Sequence, residues 1–453
     1  MPHLAKVQDA AISPVIAATE PFDLTTFTNG GLSNDQVSMY RHWRVRILFA
    51  TIFGYAVFYL VRLNFSVVIP TLQAQYGYSK AELGMVVTTF AIVYGAGKFL
   101  NGFLSDRSNA RYFMTAGLVG SAIVNLFVGF GESLLFFSIC WGISGWFQSM
   151  GWPPVARLLT HWYGPKEIGT KWAIWNSSQP LGGAITYVLA AYLVADFGWQ
   201  SAFYVPAVIA LVAAVILFAL LRDTPQSLGL PPVEVYKNLV HKDDVKEEVH
   251  ASSRELLRLV FTSRVVWLVC VANMFLYIIR SSIFTWAPTF LQEMKGSSLV
   301  TSSWQTFGLE IAGILGGLAA GYASDRLFNG RRGPVGCIFM GLLALVLFAF
   351  WHSPGSVWLD SMAMIAVGFL IYGPQVLVGV AAADFASKKA AGMATGLTGT
   401  FGYLGVAISG VGIGYVADNW GWAGGFTFFI GSAILGMLTF ALTWTARAKV
   451  LDK

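Results

Sequence analysis

A chain of 453 residues, 56% hydrophobic and 11% charged with a mean hydropathy of +0.62, has too few charged residues to cover the surface of a soluble domain of this size. That excludes a water-soluble enzyme or binding module and places the chain in a lipid bilayer. The net charge of +6 does not argue for a nucleic-acid partner, because the basic residues sit in gaps between apolar stretches.

Residues 1–40 read as a cytoplasmic tail, with no charged stretch leading into an apolar core that would mark a cleavable signal. Twelve apolar spans are predicted after it, at about 46–70, 82–104, 112–130, 133–158, 168–194, 199–220, 263–288, 299–324, 334–351, 355–380, 389–416 and 422–446. Each is expected to be a helix, because in lipid every backbone polar group must be satisfied within its own segment. Gaps after even-numbered spans are basic: Arg107 and Arg111; Arg157, Lys166 and Lys171; Lys237, Lys242 and Lys246; Arg326, Arg331 and Arg332; Lys388 and Lys389. Gaps after odd-numbered spans hold only Lys80 and Lys295. The positive-inside rule therefore predicts that both termini and the even gaps are cytoplasmic, in a multi-pass protein of the cell inner (plasma) membrane.

A polar stretch at 222–262 divides the chain into halves at 41–221 and 263–446, with a short cytoplasmic tail at 447–453. The halves repeat one another. "YLVR" ending at Arg62 matches "YIIR" ending at Arg280, and "GFLSDR" with Asp106 and Arg107 matches "GYASDR" with Asp325 and Arg326. Pro153 in "MGWPP" matches Pro374 in "IYGPQ", and Gly198 in "GWQSAF" matches Gly421 in "GWAGGF". Four matches in order at nearly constant separation indicate a duplicated unit. The fold class expected is an all-α membrane protein with twelve transmembrane helices in two six-helix pseudo-repeats, which resembles the major facilitator fold, with a substrate site at midplane between the halves. The two "SDR" segments resemble that fold's loop signature. Their acids and arginines, Asp106, Arg107, Asp325 and Arg326, are expected to clamp helix ends and gate closure.

Three cations lie inside spans: Arg62, Lys98 and Arg280, against one well-embedded acid, Glu310. A charge at the centre of a membrane helix costs about 2.5 to 3.5 kcal/mol on insertion scales. The repeat should set Arg62 and Arg280 opposite each other, and two planar guanidinium forks suit the oxygens of a dianion such as phosphate or a phosphate monoester. Aromatic residues accompany them. Tyr55, Tyr59 and Arg62 form one helical stripe, Tyr94 and Lys98 another, and Tyr277 precedes Arg280 by one turn; Trp146, Tyr372 and Tyr403 lie in other spans. Gly313, Gly317 and Gly321 mark a face of span eight where a neighbouring helix approaches closely. The cysteines, Cys140, Cys270 and Cys337, read as packing residues, and no metal or cofactor pattern is present. His161 has no nucleophile beside it, so no enzymatic activity is expected.

The segments "YLVRLNF", "GKFLNGFLSDRSNARYF", "GWFQSMGWPP", "RDTPQSLGLPP", "NGRRGP", "GFLIYGPQVLVG" and "GTFGYLG" together resemble the organophosphate:phosphate antiporter family: glycerol-3-phosphate and hexose-6-phosphate transporters and a related sugar-phosphate sensor. The resemblance implies that Arg62 and Arg280 hold phosphate, with contacts from Tyr55, Tyr59, Lys98, Trp146, Tyr277, Tyr372 and Tyr403. This chain departs from the family pattern at Leu63, where lysine is common, at Gln179 in "WNSSQPLGG", where the family has histidine, and at Thr285, where an aspartate is familiar. Gln179 can hydrogen-bond phosphate without carrying a proton. The function expected is exchange of inorganic phosphate for an organic phosphate monoester by alternating access. Two alternatives stand beside it: a receptor that reports external sugar phosphate to a sensor kinase, and a carboxylate or sugar-acid carrier.

Overall fold

The computed structural model describes residues 33–164, 167–236, 260–385 and 391–446. Lys166, Lys237, Lys242, Lys246, Lys388 and Lys389, most of the first 40 residues and the 447–453 tail lie outside them.

The described residues build the twelve expected spans. Span one comprises Asn34–Leu60 and Asn64–Tyr76; span two, Lys80–Asp106; span three, Ala110–Val128; span four, Leu134–Gln148 and Trp152–Trp162. Span five comprises Ile168–Asn176 and Ser178–Phe197, and span six is Ser201–Leu220. Spans seven to ten are Arg264–Lys295, Leu299–Tyr322, Arg332–Trp351 and Val357–Phe385. Spans eleven and twelve form one helical run, Ala391–Ala441, of 51 residues. A straight helix of that length would measure about 76 Å, more than twice a hydrocarbon core of about 30 Å. Gly421, at φ 64° and ψ −171°, turns the chain there. Its counterpart Gly198, at φ 84° and ψ 163°, separates spans five and six. Only glycine adopts these angles without strain, which accounts for the repeated "GW".

Two boundaries differ from the sequence reading. The first helix begins at Asn34, inside the stretch read as tail, because Ser33 and Gln36 form a reciprocal capping box. It continues far enough for Tyr40 to stack on Tyr236 at 4.0 Å. The start of the central stretch is likewise part of the N-terminal half: Leu230 and Val233 are buried, and Pro225–Leu228 forms a 3₁₀ turn.

The glycine face of span eight is also shifted. Gly313 packs on Tyr372 and Gly317 on Val376, but Gly321 meets nothing within 4 Å. The closest approach is at Gly316, set against the Phe369 carbonyl, with Gly368 of span ten set reciprocally against Leu309. The three cysteines are free, and Cys140 and Cys270 are buried.

The halves meet at the end away from the termini. There Lys80 of span two pairs with Glu293 of span seven at 3.0 Å, and Trp422 Nε1 donates to the same carboxylate at 2.8 Å. The Asp418 carboxylate, at the end of span eleven, accepts from the backbone N–H groups of Lys80 (3.1 Å) and Ala81 (2.7 Å), the exposed first donors of span two. Thr88 Oγ1 donates to the Ala407 carbonyl at 3.0 Å and accepts from Val411 N–H. An exposed ion pair contributes about 0.2–1 kcal/mol and a carboxylate at a helix N-terminus about 0.3–1 kcal/mol. Removing both with Asp418→Asn and Glu293→Gln should therefore shift the closed-to-open ratio at this end about tenfold. Labelling of a Thr88→Cys probe by an impermeant maleimide should quicken accordingly; an unchanged rate would show that the latch carries no weight.

Candidate functional site

Arg62 does not lie within a helix. It occupies a one-turn break between Leu60 and Asn64, where the carbonyl of Val61 loses its helical partner. Asn125 of span three supplies the replacement, donating through Nδ2 to Val61 O at 2.9 Å. Asn64 Nδ2 donates to Asn125 Oδ1 at 2.8 Å and to the Ala202 carbonyl of span six at 2.9 Å, and Asn64 Oδ1 accepts from Phe65 N–H. Both asparagines are completely buried. This network makes a non-helical turn tolerable in a lipid-embedded segment.

From the break the Arg62 guanidinium reaches over aromatic rings, 4.7 Å from the Tyr94 centroid, 5.3 Å from Phe90 and 5.4 Å from Tyr59. Arg280 projects from the unbroken span seven into an equivalent setting, 4.7 Å from Phe284, 5.6 Å from Tyr372 and 5.7 Å from Tyr277. Both line one cavity of about 1190 Å³, open solvent included. No described carboxylate lies within ion-pairing distance of Arg62, Arg280 or Lys98. Arg280 Nε is buried without a hydrogen-bond partner, and so is Gln375 Oε1 on the same wall. Glu310, the one acid at this depth, accepts from Tyr372 Oη at 2.5 Å and packs against Gly183. The donor forks of both guanidiniums are therefore not taken by a described carboxylate.

The cavity extends from the arginines toward the end that carries the termini. Tyr55, Tyr59, Tyr94, Lys98, Gln179, Tyr277 and Tyr403 line it, so most of the residues singled out in the sequence converge there. Lys98 Nζ sits 5.1 Å from the Trp152 ring and 5.4 Å from Tyr403, whose ring stacks on Tyr94 at 4.7 Å. Gln179 Nε2 donates to Tyr59 Oη. Leu63 and Thr285, two positions where the chain departs from the pattern it resembles, face the cavity as well.

Two residues fall elsewhere. Trp146 lies in an apolar groove with Thr89, Val93 and Gly142, on the outer side of spans two and four. The break at Ser149–Gly151 re-aims span four, and Trp152 takes the place on the cavity wall. Tyr372 is buried behind the wall, held by Glu310, and reaches Arg280 only through its ring. Trp152, Asn176, Phe284 and Gln375 line the cavity without having been singled out. The proline pair after Trp152 signalled a new helix start, and Phe284 sits one turn beyond Arg280.

The four residues expected to clamp helix ends divide. Asp325 pairs with Arg332 at 2.5 Å, joining spans eight and nine. In the N-terminal half the corresponding clamp uses other groups: Arg157 holds Asp223 through two bonds of 3.0 Å and donates to the backbone carbonyl of Asp106 at 2.6 Å. Arg107 instead lies over Phe103, 3.5 Å from its ring centroid, and Arg326 is exposed.

Two six-helix halves enclosing one cation-lined cavity, joined at one end, are the architecture of a membrane carrier. The sequence profile of the Major Facilitator Superfamily matches residues 51–410. The chain belongs to that superfamily. It is 44% identical to the glycerol-3-phosphate transporter of Bacillus subtilis over 89% of this chain and 93% of the relative. It is 40% identical to a probable hexose phosphate transport protein of Chlamydia pneumoniae (90% and 93%) and 37% identical to the membrane sensor protein UhpC of Escherichia coli (85% and 89%). In fold it superposes on a bacterial homologue of the human lysosomal transporter Spinster with a TM-score of 0.74 at 13% identity, covering 89% of this chain and 96% of the other.

Proposed function

We propose that the chain is an organophosphate:phosphate antiporter, exchanging inorganic phosphate for a phosphate monoester of the glycerol-3-phosphate or hexose-6-phosphate type. The observation that carries this reading is the pair of guanidiniums, placed at matching positions of the two halves, lining one cavity and lacking carboxylate partners. Such a pair is tolerable in a low-dielectric interior once a dianion joins it. Relatives named as transporters of such esters support the substrate class.

In this reading Arg62 and Arg280 grip the phosphoryl oxygens, and Lys98 adds a third positive charge on the path toward them. Tyr55, Tyr59, Tyr94, Tyr277 and Tyr403 offer hydroxyls to the remaining oxygens or to the organic group. Gln179, by donating to Tyr59 Oη, leaves that hydroxyl free to donate its own proton inward. The basic gaps in the sequence support a cytoplasmic side of the inner membrane for the termini and the cavity mouth. The halves at 41–221 and 263–446 rock about the site, and Asp325, Arg326, Asp106 and Arg107 border the helix ends that close over it. With the site empty the two guanidiniums repel and hold the halves apart; a bound dianion offsets that repulsion. A ligand drives the exchange of states only by binding the intermediate better than either open form.

Proteoliposomes loaded with phosphate should take up labelled phosphate or phosphate ester, and unloaded ones should not. Equal uptake by both would refute obligate exchange. Ligand binding without exchange would favour a receptor working with a membrane kinase, for which the similarity to a sensor protein and the absence of histidine at Gln179 speak. Inorganic phosphate that fails to compete with the bound ester would point to a carboxylate or sugar-acid carrier.

A further inference from the structure

A second concentration of positive charge lies away from the cavity, on the outer rim of the N-terminal half at the end that carries the termini. Three arginines from three segments gather on the last turn of span six. Arg46 of span one donates through Nη2 to the Ala219 carbonyl at 3.1 Å, and Arg111 of span three donates through Nε to the Phe218 carbonyl at 2.5 Å. Arg222, just beyond the helix, donates through Nη1 to the carbonyls of Leu221 (2.7 Å) and Ala219 (3.3 Å). The guanidiniums of Arg46 and Arg222 stack on Trp43, at 4.5 and 5.0 Å from its ring centroid, and Arg111 lies 3.9 Å from that of Phe218.

The helix end offers carbonyls to all three, but its charge balances less than one of them. The carboxyl end of a helix carries about half a negative charge. No described carboxylate pairs with any of the three, since the nearest acid in sequence, Asp223, is taken by Arg157. Most of their donors remain unused, and Arg46 Nε is buried without a partner. Burial and the neighbouring Arg111 and Arg46 push the Arg222 guanidinium below its ordinary pKa. The bundle surface on these same helices is apolar and exposed: Val45 and Phe49 on span one, Tyr112 on span three, and Val215 on span six.

We infer that this cluster is a binding site for the phosphate headgroup of an anionic phospholipid, with Arg46, Arg111 and Arg222 around the headgroup and the acyl chains lying against Val45, Phe49 and Val215. A basic rim directly above an exposed apolar face matches the two-part chemistry of a lipid and of no soluble anion. The site is separate from the central cavity and does not depend on what the cavity carries.

Native mass spectrometry of the full chain, extracted from membranes of phosphatidylethanolamine with phosphatidylglycerol, tests it. The wild type should retain at least one phosphatidylglycerol that the Arg46→Gln/Arg111→Gln/Arg222→Gln variant loses, with a retained fraction at least fivefold lower. The matching triple lysine variant, which preserves charge, should recover most of the adduct. It also covers the case in which the glutamine variant fails to fold, because phosphatidylcholine substituted for phosphatidylglycerol should then leave both the wild type and the lysine variant without adduct. Ten millimolar inorganic phosphate should not displace the lipid. Equal retention by wild type and glutamine variant, equal retention of phosphatidylcholine, or complete displacement by inorganic phosphate would each overturn the assignment, the last by marking the cluster as a site for free phosphate.

Discussion

Arg280→Lys is expected to weaken phosphate binding about a hundredfold while leaving the empty protein as stable as the wild type, or more so. Both parts follow from the same geometry. A lysine keeps the charge but supplies a single point of donation, so it cannot make the paired bonds of a guanidinium fork. Charge-assisted hydrogen bonds contribute about 1.5–3 kcal/mol each, and losing one outright corresponds to roughly a hundredfold in affinity. The stability of the empty protein should not suffer, because the native guanidinium touches no carboxylate and its Nε has no partner to lose. Removing one member of a buried ion pair would instead cost about 3–5 kcal/mol. Calorimetric titration with phosphate, together with thermal unfolding in its absence, separates the two cases. A variant that binds phosphate normally removes Arg280 from the site. A variant that unfolds many degrees earlier without ligand shows that the arginine serves the fold.

Arg62 and Arg280 were legible because a repeated sequence puts a costly charge at the same place twice, and the cavity does contain both. The tyrosine stripes followed from helical spacing, which the first half of span one and span two obey. Trp146, expected at the site from the family resemblance, lies outside the cavity, because span four breaks and restarts at Trp152. The proline pair after Trp152 marks that restart, but where the freed backbone groups find partners depends on residues contributed by other spans. Glu310 is similar. Its sequence position left its role open, and the contact is with Tyr372, a choice set by how closely spans eight and ten approach at Gly316 and Gly368. The clamp in the N-terminal half shows the limit of repeat reasoning as well, since Asp223 has taken the part that symmetry assigned to Asp106.

Asn125→Asp should lower phosphate affinity about tenfold although Asn125 touches no ligand. Its Nδ2 group carries the Val61 carbonyl that the break in span one sets free, and its Oδ1 receives Asn64. An ionised aspartate can still accept from Asn64 but has no donor for Val61, so at a pH that keeps the carboxyl ionised the turn that presents Arg62 loses the bond that closes it. A buried carbonyl left without a donor costs about 1–3 kcal/mol. The chain can recover part of that by extending helix through residues 61–63, which would swing Arg62 off its present line toward Tyr94. Loss of stability alone would not prove this, so the control is Ser121→Ala on the same helix. Ser121 is equally buried and its hydroxyl bonds only the Gly117 carbonyl one turn earlier. The alanine variant should lose comparable or smaller stability with unchanged phosphate affinity, whereas Asn125→Asp should lose both. Restoring the amide one methylene further out, as Asn125→Gln, should return part of the affinity if the donor is what matters. Equal affinity losses in the Ser121 and Asn125 variants would mean that any weakening of this helix disturbs the site, and that the asparagine has no special part in aiming the arginine.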